Sequence, residues 1–351
     1  MRLSHKLTQL LLSLAALVVV SASALAADPG APVVPVFPSD QLPGNVLIYN
    51  IYTSSSTNPG VQDTRISITN TNDAFGIAVH LFFVDGRTCS VADSFVCLTK
   101  SQTMTFYASD MDPDTTGYII AIATDSNGIP VPFTQVGPGA RLIGDEQVKF
   151  ASGHHASLGA VGVLGALAAV NGALNSGVEI AIDLPRVLAV ANIASRADGN
   201  DTLLIVNRIG GDLRTSAATI GNLFGILFDE LENGFSWTAS GGCQLVRSLD
   251  NTFPRTTPRL TSVIPAGSVG WMKFWATSTD TLNVSEFGGP SALVVDRALT
   301  GAVINHNPNA ATGARAFGAG HNLHELTAVT TTYLIFPIFP NNCDVSFDMA
   351  R

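Results

Sequence analysis

The feature that most constrains this chain is that it is written twice. LPGNVLIYNIY from Leu42 returns as LPRVLAVANIA from Leu184 with one deletion, and DTRISITN at Asp63 returns as DTLLIVNR at Asp201. HLFFVDG, ending at Asp85-Gly86, is matched by GILFDE around Asp229. PDTTGYIIAIAT from Pro113 is matched by PAGSVGWMKFWAT from Pro265, and FASGHH from Phe150 by FGAGHN from Phe317. Five matches in one order identify an internal duplication. Each copy, about 140 to 165 residues, is long enough for its own core.

Within each copy the matched segments read as strands. Arg65 to Thr69 alternates polar and apolar residues, the period of a half-buried strand. Ala78 to Val84 and Tyr118 to Thr124 are β-branched and aromatic runs ended by Asp-Gly and Asp-Ser-Asn-Gly turns. Asn222 to Phe228 and Phe235 to Ser240 read as a hairpin. The Ala/Leu/Gly-rich stretch from His154 to Leu174 is expected to be a helix, and by analogy so is His321 to Val329. The expected fold is mainly β: two tandem Ig-like β-sandwich domains, residues 42–183 and 184–351, each with a short helix near its C-terminal end.

The first 26 residues read as a signal peptide. Arg2 and Lys6 precede the apolar run Leu10 to Val20, and Ala24-Leu25-Ala26 offers a small-x-small cleavage site. The run is shorter than the roughly 20 residues a membrane helix needs, so no transmembrane segment is expected. Residues 27–41 read as an extended, Pro-rich leader. The chain carries 18 basic and 27 acidic residues, and removal of Arg2 and Lys6 takes its net charge from −9 to −11. That field, with no basic stripe to offset it, disfavours nucleic acid as a partner. Charged residues are 13% of the chain against about 25% in ordinary soluble domains, which suits an exported protein that meets other surfaces.

Four cysteines in an oxidising compartment imply disulfides. The short spacing of Cys89 and Cys97 suggests a hairpin staple, leaving Cys243 to pair with Cys343.

Several constellations are candidates for chemistry. His154 and His155 in one copy, and His321 with His324 and Glu325 in the other, suggest metal ligands or general bases, with His306 a further member of a hydrolase set. Only Gly-His itself repeats, which favours a structural joint. Asp110, Asp112 and Asp114 alternate as calcium ligands do, but without the glycine and distant glutamate of a complete loop. Asp198, Asn200 and Asp201 lie in a turn-forming stretch. Asn200-Asp201-Thr202 and Asn283-Val284-Ser285 fit the glycosylation pattern. Ser268 in AGSVG lacks the strand–Ser–helix context of a nucleophile elbow and reads as a turn serine. Trp271 and Trp275 share parity on one strand and hence one face, either in the core or as a ligand-stacking strip.

The stretches TRISITNTN, VHLFFVDG, DPDTTGY and RADGNDTLLIVNRIGG resemble a group of uncharacterised secreted bacterial proteins. The resemblance covers most of the chain after the signal peptide. It implies export and a β-rich architecture, and it adds no catalytic residue. The functional expectation is an exported, non-catalytic structural or interaction protein of the cell surface or secreted matrix, acting through protein or self-association. The alternatives are a carbohydrate- or ligand-binding module through Trp271 and Trp275, and a metal-dependent hydrolase.

Overall fold

The computed structural model describes residues 38–171, 177–278, 280–282, 293–295, 297–309, 319–326 and 329–343. The chain is mainly β. Its described strands form five sheets of four or five strands and a two-stranded ribbon, Asp280–Leu282 with Leu293–Val295.

Sheet I runs in the order Val91–Leu98, Ile77–Asp85, Thr116–Thr124, Val46–Thr53, Val161–Val163. Sheet II runs Thr103–Tyr107, Asp63–Asn70, Leu142–Lys149, His155–Gly159. The second half of the chain copies both orders. Sheet III runs Gly234–Gly241, Gly221–Phe228, Val269–Ala276, Val187–Ala194, His324–Glu325. Sheet IV runs Gln244–Ser248, Asp201–Arg208, Leu299–His306, Ala319–Asn322. Even the irregularities match: pairing slips between Tyr49 and Tyr52 in sheet I and between Val190 and Ile193 in sheet III. A one-turn helix precedes the equivalent strand in each half, Ala108–Met111 and Leu260–Val263.

The fifth sheet has no partner in this scheme. Sheet V joins Gly165–Asn171, Gly177–Pro185, Val329–Pro337, Gly211–Asp212 and Ser216–Ala217, drawing on both halves. Its Ile180, Ile182, Leu334 and Phe336 pack on the outward face of sheet I, against Phe82, Tyr118 and Ile120. The other face of sheet I shares a core with sheet II, through Tyr49, Leu81, Ile66 and Ile68. Sheets III and IV enclose a third core around Met272, Phe274, Trp237 and Val206. Val148 and Leu158 of sheet II meet Leu203, Ile205 and Ile304 of sheet IV. The result is a five-sheet, propeller-like arrangement in one compact unit rather than two tandem Ig-like sandwiches.

Burial explains which strands read as continuous apolar runs. Val46–Thr53 is buried at every position because it is covered on both faces. Asp63–Asn70 alternates instead: Ile66 and Ile68 face the core, while Ser67 and Thr69 pair outside with Thr105 and Thr103.

In their described residues the two expected helices are strands; residues 172–174 and 327–328 lie outside the described part. The stretch from His154 passes through sheets II, I and V in turn, as His155–Gly159, Val161–Val163 and Gly165–Asn171. Its glycines mark close approaches: a Cβ on Gly162 would lie 2.4 Å from the Leu42 carbonyl oxygen, and one on Gly165 2.8 Å from Val46 Cγ2. Likewise His321 belongs to sheet IV and His324 to sheet III.

The cysteine pairing also differs from expectation. Cys89 bonds Cys243 and Cys97 bonds Cys343, both with Cα atoms 5.3 Å apart. The turn of Cys89 lies against the second half of the chain, where Ala217 N donates to the Cys89 carbonyl and Gln244 N to that of Gly86. Sequence spacing carries no information about that contact. Cys343 reaches Cys97 by packing on the neighbouring Ala78.

Candidate functional site

The histidines of the two Gly-His pairs sit in different surroundings. His154 is buried; its Nε2 donates to the Asp201 carbonyl oxygen at 3.0 Å and its Nδ1 accepts from the Ser152 hydroxyl at 2.9 Å. Burial holds its pKa below the ordinary histidine value. It thus pins the end of sheet II to the start of a sheet IV strand. Gly153 before it has φ +92°, and a Cβ there would meet His306 Nε2 at 2.9 Å, which explains the glycine in this Gly-His pair. His155 is exposed and bonds the Gly153 carbonyl.

His306 therefore lies with His154 and His155, apart from the partners expected for it. His321 and His324 have ring centroids 5.4 Å apart, and with Glu325 and Asp40 they line a cavity of about 570 Å³. Burial, and then the Asp40 charge, push the Glu325 carboxyl up to about 7. Among the described residues, no three His, Cys, Asp or Glu side chains are grouped so as to hold a metal ion.

The acidic triplet does not converge. Asp112 accepts from the Tyr52 hydroxyl at 2.5 Å, Asp114 accepts from Ser56 N and Oγ, and Asp110 is exposed. The residues around Asp198 form a brace at the surface, anchored by the buried Ser195 and Asn200. Asp198 accepts from Gly267 N, Arg196 pairs with Asp201 at 2.6 Å, and Asn200 donates to the Ser195 carbonyl. Asn200 is only 3% exposed, so it cannot carry the glycan its sequence motif suggests. Asn283 to Ser285 lies outside the described residues. Ser268 sits in a turn, its N–H bonded to the Pro265 carbonyl, ahead of the strand as expected.

The tryptophans occupy a different kind of place. In sheet III the side chains of Leu223, Leu227, Met272 and Phe274 point into the core. Alternation therefore puts Phe224, Ile226, Phe228, Trp271, Lys273 and Trp275 on the opposite face. They pair directly across the strands: Phe224 with Trp275, Ile226 with Lys273, Phe228 with Trp271. Trp271 stacks on Phe228 with centroids 4.5 Å apart and planes within 10°, and Trp275 lies 5.1 Å from Phe224. Lys273 Nζ stands 5.9 Å from the Phe228 ring centre, a cation–π distance. All six are half-buried and belong to none of the buried clusters.

The same face exists in sheet I. There the matching cross-strand pairs are His80 with Ile122, Phe82 with Ile120 and Val84 with Tyr118. Every one of them is buried, with sheet V packed over the face. Sheet III keeps the apolar character, and among the described residues no sheet is packed over it. It carries Trp275 where sheet I has Ile122, and Lys273 where sheet I has Ile120. A face merely open to water would carry mainly polar side chains.

Beside Trp275 lies a cavity of about 700 Å³, lined by Arg186, Val187, Lys273, Trp275, Arg297 and Leu326 and by the start of the sheet V strand Val329–Pro337. Sequence reading found both tryptophans but missed Phe224, Phe228 and Lys273. The signal was present: Lys273 shares parity with the tryptophans, and Phe224 and Phe228 occupy the strand matched to Ala78 to Val84. No protein-family model matches the chain, and no curated protein matches it.

Proposed function

We propose that this is an exported, non-catalytic structural or interaction protein of the cell surface or secreted matrix, and that the open face of sheet III engages its partner. One observation carries the reading: two equivalent sheet faces differ in fate, one covered by sheet V and the other aromatic and half-buried, with no sheet over it among the described residues. Contiguous apolar surface left in contact with solvent marks interaction sites. Two disulfides, closing loops of 154 and 246 residues, suit life in an oxidising compartment.

A second reading, a carbohydrate- or ligand-binding module, is favoured by the cavity beside Trp275. It differs from the first in the size of the partner rather than in the place of contact.

Fractionation of the producing cells tests the proposal. The wild-type protein is expected in the surface or matrix fraction, and the Trp271→Ala/Trp275→Ala double variant, still folded by circular dichroism, in the free medium. Intracellular protein, or equal retention of the variant, contradicts it.

A further inference from the structure

The two disulfides occupy unlike places in the fold. Cys89 and Cys243 are buried in the core between sheets I and V, among Val84, Ile209 and Ala217. The backbone beside them is tied across the two halves of the chain, Ala217 N to the Cys89 carbonyl and Gln244 N to that of Gly86. Cys97, in contrast, is exposed, on the edge strand of sheet I, Val91–Leu98. Its partner Cys343 lies in a short tail, residues 338–343, that follows the sheet V strand Val329–Pro337.

That tail has few other holds. Asn341 N donates to the Ser126 carbonyl at 3.0 Å and Asn341 Nδ2 to that of Asp125 at 2.8 Å, both in one turn. Cys343 N donates to Asn341 Oδ1, within the tail itself. Ile338 packs at the rim of the core under sheet V, while Phe339, Pro340 and Asn342 are exposed. Parting Cys97 from Cys343 therefore asks only for a local opening of the tail. Parting Cys89 from Cys243 separates buried side chains of both halves. Local openings cost far less free energy than global ones, and thiol–disulfide exchange follows access to the sulfur under attack.

We infer that Cys97–Cys343 is a reducible latch, opened by a dithiol reductant while Cys89–Cys243 stays closed, and that its opening frees the tail without unfolding the sheets. The inference goes beyond the proposed function and is independent of the sheet III face. A thiolate of the reductant attacks Cys97 Sγ and forms a mixed disulfide as the bond to Cys343 breaks. Cys343 leaves as a thiolate and takes up a proton. The second thiolate of the reductant then attacks the reductant sulfur of the mixed disulfide, which closes the reductant's own disulfide and releases Cys97. Two electrons and two protons pass from the dithiol to the protein. The freed tail withdraws Phe339 from the His80 ring, whose centre lies 6.3 Å from its own.

The test is titration of the purified full protein with dithiothreitol at neutral pH, with free thiols trapped by iodoacetamide and located by peptide mass spectrometry. Cys97 and Cys343 are expected to be alkylated together, about tenfold or more faster than Cys89 and Cys243. At that stage circular dichroism should match the oxidised protein. Hydrogen exchange at the Asn341 and Cys343 amides should rise, with the Ile120 and Ile122 amides still protected. The Cys97→Ser/Cys343→Ser variant should show the same fast tail exchange before any reductant is added; reduction of the wild type decides the matter should that variant not fold. The inference is overturned if all four cysteines are alkylated at one rate or if Cys89 and Cys243 react first. It is also overturned if opening Cys97–Cys343 abolishes the sheet spectrum, or if the tail amides stay protected once both thiols are alkylated.

Discussion

Glu325 shows how one residue ties the two halves of the chain to pH. Its carboxyl is raised from 4.5 to about 7, by burial first and then by Asp40, and His321 and His324 line the same cavity. The folded protein therefore holds this proton more tightly than the unfolded chain does. Between pH 4.5 and about 7 the folded state binds more protons, so this residue's contribution to stability falls as pH rises through that window. Glu325→Gln removes the dependence. Relative to this variant, wild type should lose up to about 2 kcal/mol between pH 4.5 and 7.5, allowing for screening at a half-buried site. Denaturant unfolding of both proteins across that range checks it; parallel pH profiles contradict it. His80 and His154 act in the opposite sense. Burial lowers both, so their contribution is present above the ordinary histidine pKa and is lost as pH falls below it. Comparing wild type with the variant cancels their effect.

At the scale of elements, the two halves are joined by buried amides at the slip in the first strand. Asn207 Nδ2 donates to the Asn50 carbonyl oxygen at 2.8 Å, and Gln244 Nε2 donates to Asn207 Oδ1 at 2.8 Å. Asn50 Nδ2 donates in turn to the Gly301 carbonyl and to Asn322 Oδ1. Asn207 is fully buried and its Nδ2 also donates to Asn50 Oδ1, so Asn207→Ala takes the donor from that acceptor and opens a gap among the amides. It should destabilise the protein by about 2–3 kcal/mol in denaturant unfolding; a change below about 0.5 kcal/mol would contradict this role. The strands were legible because periodicity is local: Arg65 to Thr69 alternates, and Tyr118 to Ala123 is apolar throughout because both its faces are covered. The segments from His154 and His321 were not, since short pieces without a clear period, the first of them Ala- and Gly-rich, acquire their conformation from the sheets they cross. The cysteine partners were hidden for the same reason. Cys89 meets Cys243 only because the two halves pack together.

For the whole molecule, duplication was followed by divergence in what each outer face meets. Five sheets from two copies require one extra sheet, and sheet V, assembled from both halves, covers sheet I. The equivalent face of sheet III stays aromatic and gains Lys273. The sequence carried both tryptophans in plain view, but whether they lay in the core or outside depended on which face sheet V covers. Hydroxyl-radical footprinting of the free protein, read by mass spectrometry on individual rings, measures that difference directly. Trp271, Trp275 and Phe228 should be modified readily, with Tyr118, Phe82 and Trp237 protected. Protection of Trp271 and Trp275 to the level of Tyr118 would mean that both faces are covered, and would contradict the account.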